Sequence, residues 1–582
     1  MNPRNRRYRL SRILPCLLPL CGLGIETACA QIGDLEAIAA PMESVFLRWN
    51  DLTADESGFL VERRTGEGEY SELLTTPPDV TGFTDTGLEP ATKYFYRVQP
   101  VNGSGQQAGE VEVTTFPQWE VPVPEVAISS PGGGDYTVSF PGQGATYTVE
   151  GSMDLNTWAP LEPPFYLDST GQYTHTLPVG WALESFASFY RVRARAYERP
   201  PVIGLDRPFE LPPEPDGEVY DVTQFGASPA NIQDGNDDAI GIMVAISIAG
   251  AGDVVFIPAG TYTIRQKLVI PTGVTLRGAG MDQTLLVTEG IDRAVEVTAF
   301  SHDIRIEDFA ITYLGETEEL GTGVHVGSSR SGNNAYRIVI DGIRVEGFSV
   351  HGVSLRDCHH VLVRNCRMLN ATNLGGGGHG YGIALNYPTN HNNWIRNNTI
   401  GPVIRHAILL QYYAHNNLVE HNLAVENSED AYDLHGEDEY ANELRYNTAR
   451  DGARDGFGVG NTGATHDRSG PDNWIHHNTV ERSLSGIEVI QGSDVVYIDQ
   501  NSFIDNDYGI RVHDIGGRHL YLRGNLIDGN RVGVSLSRAR QVWLLENQIL
   551  NQTLYGIEIL AGTEDLVESG NVLEGNALDY RP

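Results

Sequence analysis

The chain has 582 residues, of which 20% are charged, and its formal net charge at pH 7 is −36. So acidic a protein is a poor partner for nucleic acid and for anionic membrane surfaces. A polyanionic ligand would need a local arginine patch or a bridging cation, because the chain contains only two lysines, Lys93 and Lys267.

The first 30 residues have the features of a secretory signal peptide. Five arginines between positions 4 and 12 precede the apolar run ILPCLLPLCGLGI, and the small residues ACA precede Gln31. This order predicts cleavage after Ala30 and export to the periplasm or the extracellular medium. We expect no membrane insertion, since no later segment is long and apolar enough to span a bilayer. Only Cys358 and Cys366 then remain, which excludes a disulfide framework and predicts two buried thiols.

Residues 31–117 alternate short apolar strands with Gly-rich turns, which predicts a small β-sandwich. The relevant positions are Trp49, Leu88, Pro90, Thr92, Tyr94, Tyr96 and Val98. This spacing resembles the fibronectin type III pattern, and the resemblance implies core positions for Trp49 and Tyr94. Residues 120–198 predict a second small β-sandwich, and the proline-rich segment 199–218 predicts a linker.

From residue 219 onward the chain repeats itself, with one asparagine in the same setting in each repeat. The asparagines are Asn398, Asn422, Asn447, Asn478, Asn501, Asn525, Asn547 and Asn571, at intervals of 22 to 31 residues, and Asn365 and Asp341 extend the series upstream. Stacked turn asparagines and inward Ile, Val and Leu are what the coils of a parallel β-helix require. We predict about eleven coils, roughly 50 Å long at about 4.8 Å per coil.

The segment DGNDDAIGIMVAISIAGAG predicts an amphipathic helix that covers the first coil. With the flanking VYDVTQFGA and DVVFIPAGTYTI, it resembles the opening of the pectate lyase superfamily, of the pectate-lyase-3 type. The resemblance implies an all-β protein in which residues 219–582 form a right-handed parallel β-helix. It identifies the fold and leaves the reaction open, because such folds host lyases, glycosidases, epimerases and tailspikes.

The stretch AYDLHGEDEYANELRYN, residues 431–447, interrupts the apolar pattern with a cluster of charged residues. Most coils contain a strand of the form Gly-Ile-x-Val-x, in which the x positions point outward. Aligning the coils predicts two outward rows: Ser354, Ala384, Ile408, Asp433, Gly458, Glu488, Arg511; and Arg356, Asn386, Leu410, His435, Gly460, Ile490, His513. The bare glycines beside Asp433 and His435 predict a groove with these two side chains on its floor, about 7 Å apart.

Two long repeats predict loops beside this strand, and binding residues are often found on such loops. The candidate catalytic residues are Asp433, His435, Arg405, Glu437, His466 and Arg468. The candidate substrate-binding residues are His379, Asn386, His406, Tyr413, Arg454 and Glu488. Calcium is the one cofactor considered, with Asp433, Glu437, Asp438 and Glu439 as hard oxygen ligands; no tight histidine set for zinc is apparent.

The leading hypothesis is a secreted, monomeric enzyme that cleaves an acidic polysaccharide by β-elimination at a uronate. Removal of the C5 proton needs a base, for which His435, Arg405, Arg468 or Tyr413 are candidates, and a group that neutralises the carboxylate. An inverting glycoside hydrolase is the alternative, with Asp433 and Glu488 as its carboxylates about 9 to 10 Å apart. A C5-epimerase is a third, because alginate epimerases carry Asp-Pro-His where this chain has Asp433, Leu434 and His435. A non-catalytic adhesin is the fourth.

Overall fold

The computed structural model describes residues 32–40, 44–51, 56–66, 68–76, 80–101, 108–115, 127–132, 135–141, 145–152, 159–160, 165–167, 172–177, 189–194, 211–229, 237–313, 321–328, 334–386, 390–461 and 468–581. Between residues 127 and 194 only the backbone is described here. The chain divides into two compact units, one within residues 1–115 and the other dominated by residues 116–582. No described helix is long and apolar enough to cross a membrane.

The first unit contains two antiparallel sheets. One has three strands, Ile32–Ala40, Ser44–Asp51 and Gly82–Asp85, and the other has four, Ser71–Thr75, Phe59–Thr65, Lys93–Pro100 and Gly109–Thr114. Trp49 of the first sheet contacts Phe59 of the second with ring centroids 5.5 Å apart. Trp49 and Tyr94 are both buried, as predicted for core positions. The unit is therefore a small β-sandwich; its specific likeness to fibronectin type III stays a prediction.

Residues 127–194 also form antiparallel strands in two sheets. One sheet joins Ala159–Pro160, Ala145–Ser152, Phe165–Leu167 and Phe189–Ala194, and the other joins Gln172–Leu177, Asp135–Pro141 and Ala127–Gly132. Two antiparallel sheets in about 70 residues are the architecture expected for a second sandwich module.

From residue 219 the chain winds into a parallel β-helix, as predicted. The functional strand belongs to a 13-stranded parallel sheet, Leu268–Val269, Arg293–Val297, Thr322–Gly327, His351–Arg356, Tyr381–Asn386, His406–Leu410, Tyr432–Leu434, Phe457–Val459, Ser485–Val489, Tyr508–Val512, Val532–Leu536, Tyr555–Ile559 and Leu578–Tyr580. Thirteen strands are close to the predicted count of about eleven coils. One continuous core of Ile, Val, Leu, Phe and Ala runs through the first twelve of them, and it contains the fully buried Tyr432 and Leu434.

The rest of each coil forms a second parallel arrangement of 25 strands, to which most coils contribute two. Its strands are Val219–Asp221, Val254–Ile257, Gly260–Ile264, Thr275–Gly278, Thr284–Thr288, His302–Tyr313, Ala335–Glu346, Cys358–Arg364, Arg367–Leu369, Trp394–Arg396, Thr399–Ile400, Leu418–Glu420, Leu423–Val425, Glu443–Arg445, Thr448–Arg450, Asn473–His476, Thr479–Glu481, Asp494–Asp499, Ser502–Ile504, Arg518–Arg523, Leu526–Asp528, Arg540–Leu545, Gln548–Leu550, Glu564–Ser569 and Val572–Glu574.

The predicted asparagine ladder is present from Asn398 to Asn571. In each step the side-chain oxygen of one asparagine accepts from the backbone and side-chain nitrogens of the asparagine one coil earlier, at 2.8 to 3.1 Å. The upstream extension was wrong, because Cys366 takes the ladder position before Asn398. Asn365 is an exposed turn residue that donates to Asp341.

The helix Ala239–Ile248 lies at the start of the β-helix and buries Ala239, Ile242, Ala245 and Ile246 in the shared core. Asp238 precedes it and accepts hydrogen bonds from the backbone of Ser228 and Thr263. The helix covers the first coil as predicted, but it is apolar on its outer face too, where Ile240 is 59% exposed.

Candidate functional site

The strand Tyr432–Leu434 points Tyr432 and Leu434 into the core and Asp433 outward. In the register of the sheet Asp433 lies between Leu409 and Gly458, followed by Glu488 and Arg511. The predicted row is correct except at one coil, where Ile408 and Leu410 are buried and Leu409 takes the outward position. The apolar run AILL hides the alternation, so that spacing alone placed this coil one residue out of register.

Asp433 and His435 touch each other. Nδ1 of His435 lies 2.6 Å from Oδ2 of Asp433, so the expected separation of about 7 Å between the two groups was wrong. Backbone spacing gave that expectation, whereas the two side chains turn toward each other. Asp433 is 1% exposed and His435 8% exposed, so both side chains are buried.

The contact changes the pKa of both groups. Burial disfavours the charged form of each, but His435, His406 and Arg454 lower the pKa of Asp433. Burial likewise opposes charge on His435, but the Asp433 carboxylate raises its pKa to about 9. A carboxylate that holds Nδ1 fixes the orientation of the imidazole and stabilises the imidazolium, which is what a positioned general base requires. The amide nitrogen of Asn461 lies 3.4 Å from Nε2.

His406, a predicted substrate-binding residue, is instead packed behind Asp433. It is 2% exposed, and its Nδ1 lies 3.3 Å from Oδ2 of Asp433 and 3.1 Å from the backbone oxygen of Asp430. Burial lowers the pKa of His406 to about 4, so the ring is neutral. Its ring meets that of Tyr381 edge-on at 5.2 Å. His406 therefore contacts Asp433 from the protein interior.

Two aspartates that the sequence reasoning missed complete the carboxylate group. Asp430 and Asp455 immediately precede the strands that carry Asp433 and Gly458, and the backbone nitrogen of Asp455 approaches Oδ1 of Asp430 at 3.4 Å. Burial and the neighbouring carboxylates raise the pKa of Asp430 well above its usual range, and burial and Glu488 raise that of Asp455 to about 6. The available signal was an acidic residue just before the outward strand in consecutive coils.

Arg454 is the nearest arginine to these carboxylates. It forms ion pairs with Glu429 at 3.1 Å and with Asp430 at 3.8 Å, and it approaches Glu488 at 4.0 Å. Its side chain is 47% exposed, which leaves the guanidinium open to solvent. Arg454 is thus placed to meet an anionic ligand above Asp430.

Glu488 lies two coils from Asp433 and forms hydrogen bonds with other side chains. His513 donates to it at 2.7 Å and Arg511 at 3.1 Å. Although burial opposes ionisation, these cations lower its pKa. Its pairing with Asp433 across an inverting distance stays a prediction.

The turn after the functional strand holds the predicted calcium ligands. Glu439 is fully buried and accepts from the backbone nitrogens of Gly436 and Glu437 and from the Ser469 hydroxyl, so its oxygens organise the turn. Burial raises the pKa of Glu437 to about 7. These contacts do not fit a cage in which Glu439 shares an ion with Asp433. Calcium binding by Asp433, Glu437, Asp438 and Glu439 stays a prediction.

The remaining predicted residues surround the strand at different depths. Arg405 forms an ion pair with Glu429 at 3.6 Å and lies over the ring of Tyr381. It also donates to the carbonyl of Gly376, in the glycine-rich loop that carries His379. Arg468 pairs with Asp438 at 3.3 Å. Asn386 is buried, near His351. Tyr413 is 39% exposed. His466 lies outside the described residues.

Together these observations define a right-handed parallel β-helix protein with a buried histidine and carboxylate site on its 13-stranded sheet. A family model described as right handed beta helix region matches residues 322–481. The model of the periplasmic copper-binding protein NosD matches residues 459–581. No curated protein sequence matches the chain.

Solved structures of similar fold come from several kinds of protein. The A-module of the mannuronan C-5 epimerase AlgE4 from Azotobacter vinelandii is 17% identical, with 62% of this chain and 97% of that chain covered, at a TM-score of 0.44. The family 28 exopolygalacturonase of Yersinia enterocolitica is 12% identical, with coverages of 95% and 100% and a TM-score of 0.38. PfbA, a surface adhesin of Streptococcus pneumoniae, is 14% identical, with coverages of 62% and 93% and a TM-score of 0.45.

Proposed function

We propose that this protein is a secreted carbohydrate-active enzyme that cleaves a uronate-containing polysaccharide by β-elimination. The observation that carries the proposal is the 2.6 Å contact between His435 and Asp433 on an outward sheet face. A buried carboxylate that orients an imidazole suits proton transfer to or from a bound ligand.

The chemistry follows from these positions. The neutral form of His435, which a pKa of about 9 makes the main form only in alkaline solution, takes the C5 proton of the uronate, and Asp433 stabilises the imidazolium that forms. The electrons of the C5–H bond form a double bond between C4 and C5, the C4–O bond to the next sugar breaks, and the departing oxygen takes up a proton from the medium. Arg454 supplies the positive charge that offsets the substrate carboxylate, because its guanidinium is the one that reaches solvent beside Asp430.

The neighbouring coil supports binding of an extended chain across the sheet. Gly458 directly follows Asp433 in the register, so no side chain stands above the backbone there. A Cβ atom at this position would lie 2.7 Å from Oδ2 of Asp430 and 3.3 Å from Oδ1 of Asp433. Because Gly458 has no side chain, the carboxylates of Asp430 and Asp433 lie close above its backbone, and a sugar ring bound at this coil would meet them there.

A hydrolase is the second candidate, and one observation favours it. Asp430 and Asp433 present carboxylate oxygens within 4.8 Å of each other, and two such groups can act as acid and base in glycoside hydrolysis. An epimerase would share the proton abstraction by His435 and return a proton to the opposite face of C5. An adhesin would bind the glycan and change nothing in it.

The test is incubation of the purified protein with pectate, alginate, glucuronan and glycosaminoglycans, with and without chelator. Ultraviolet absorbance of unsaturated uronates and new reducing ends are recorded together. Both signals should rise with one of the substrates. Reducing ends without absorbance would identify a hydrolase, a changed C5 configuration by NMR without cleavage an epimerase, and no change in any substrate would contradict an enzyme of this class.

A further inference from the structure

Three neighbouring residues of the site carry metal-binding side chains that converge. One nitrogen of His406 and one carboxylate oxygen each of Asp430 and Asp433 lie within 4.8 Å of one another. In a six-coordinate site the donors lie about 3 to 4 Å apart, as metal distances of about 2.0 to 2.2 Å require. Small side-chain rotations therefore bring the three donors to a common ion.

The two oxygens of Asp433 have different surroundings. Oδ2 accepts a hydrogen bond from His435, whereas Oδ1 lies near the point where a Cβ atom of residue 458 would be. Oδ2 of Asp430 borders the same position. An ion held there would use the face of Asp433 that His435 leaves free, so metal binding and the contact with His435 are compatible.

Asp455 provides an independent indication that this cluster binds a cation. It is 2% exposed and adjoins Asp430 through its backbone nitrogen. Its carboxylate faces the Ser485 hydroxyl, yet within the described part of the chain neither of its oxygens makes a hydrogen bond of normal geometry. A buried carboxylate left without a donor is unfavourable, and a cation is the partner that satisfies several such groups at once.

The charges near the cluster lead to the same inference. Arg454 pairs with Glu429 and lies within 4.0 Å of both Asp430 and Glu488, so its single charge is divided among three carboxylates. Asp433 and Asp455 add two more acidic groups next to it. Positive charge is therefore in short supply around Asp430 and Asp455.

We propose that His406, Asp430 and Asp433, with Asp455 within reach, bind one divalent transition-metal ion of the Mn²⁺ or Zn²⁺ type. An imidazole among carboxylates selects such ions over Ca²⁺, which prefers oxygen ligands throughout. The site differs from the acidic turn at Glu437 and Glu439. It also goes beyond the proposed function, because an ion can bind here whichever reaction the protein performs.

The test is metal binding by the full chain in the absence of any glycan. After treatment with chelator and dialysis, titration calorimetry with Mn²⁺ and with Zn²⁺ should show one site per chain, bound at least about tenfold more tightly than Ca²⁺. Asp430→Asn should weaken metal binding about tenfold or more. The control is Asp507→Asn, which removes the ion pair with Arg531 and should leave metal binding unchanged.

A second variant protects the test against misfolding. Gly458→Ala keeps every ligand but places a methyl group in the ion's position, so it should weaken binding as well. Thermal unfolding of each variant without metal reports whether the fold is intact. Binding that survives both substitutions, a preference for Ca²⁺, or no binding of Mn²⁺ and Zn²⁺ would overturn the site. Each of these results leaves the glycan assay free to succeed or fail independently.

Discussion

At the scale of single residues, the site is built from side chains whose ionisation depends on burial. The same carboxyl chemistry gives Asp433 a lowered pKa and Asp430 a raised one, because cations surround the first and other carboxylates surround the second. The pKa values of two aspartates three residues apart are thereby shifted in opposite directions. Such differences between neighbouring groups are typical of functional sites.

The two cysteines of the β-helix give a residue-scale prediction. Cys358 and Cys366 are free and buried, and burial raises the pKa of Cys366 to about 12 and that of Cys358 further. Because the thiolate is the reactive form, neither thiol should react with a thiol reagent in the native protein. Both of these thiols should react in guanidinium. Rapid labelling of the folded protein would contradict this burial.

At the scale of elements, hydrogen bonds between stacked asparagines hold the turns together. Asn447 is 1% exposed, donates to Asn478 and to the carbonyl of Val419, and accepts from Asn422. Replacing it leaves several buried backbone groups unsatisfied. Asn571 ends the ladder and is only partly buried.

The ladder therefore predicts unequal effects along its length. Asn447→Ala should lower the free energy of unfolding by about 2 to 4 kcal/mol, and Asn571→Ala by clearly less, because fewer buried partners lose a hydrogen bond. Urea unfolding of the two variants beside the parent protein measures the difference. Equal losses would show that the ladder contributes no position-dependent stability.

A second ladder consists of stacked rings: His302, Tyr336, His359, His391, His415 and Tyr440, with successive centroids 4.6 to 5.3 Å apart. Burial, and then His415 and His359, lower the pKa of His391 to about 3. In the unfolded chain His391 takes up a proton near pH 6.5, whereas in the folded chain it does so only near pH 3. Protonation of the unfolded state therefore reduces stability as the pH falls from 6.5 toward 3.

His391→Phe keeps a ring in the ladder and removes this titration. The loss of unfolding free energy between pH 7 and pH 5 should then be smaller than in the parent by about 1 to 2 kcal/mol. Denaturant unfolding at the two pH values checks the prediction, and His379→Phe, in an exposed loop, is the control. An identical pH dependence in His391→Phe and the parent would contradict the shifted pKa.

At the scale of the whole molecule, the repeating coils contact mainly their neighbours, so stability should vary along the β-helix. The last coil is open on one side, where Val567, Val572, Leu578 and Tyr580 are each 46 to 49% exposed. Hydrogen exchange should be fastest in the strands Glu564–Ser569 and Leu578–Tyr580 and slowest near Tyr432–Leu434. Uniform protection over all coils would contradict this gradient.

Most of the fold could be predicted from the sequence because the repeat is a local pattern. The asparagine spacing identified the coils, and Gly-Ile-x-Val-x identified the inward side chains. The prediction failed where the pattern was missing: an all-apolar run around Ile408 concealed the register, and Cys366 replaced a ladder asparagine.

The site could be predicted only in part, for a different reason. Outward alternation found Asp433 and His435, but their contact depends on side-chain rotation that spacing does not specify. Asp430 and Asp455 precede the strands, where the backbone turns and alternation no longer applies. Asp430 approaches Asp433 within one coil, and it approaches Gly458 once the coils are stacked.

The measurement that tests the central claim most directly is cleavage of the glycan panel by the parent protein, His435→Gln and His519→Gln. His519 is a matched control, because it forms a similar buried pair with Asp494 at 2.7 Å away from the functional strand. We predict unsaturated products with the parent and with His519→Gln, and a rate about 100-fold to 10,000-fold lower with His435→Gln. Full activity in a folded His435→Gln variant would contradict the assignment of this site.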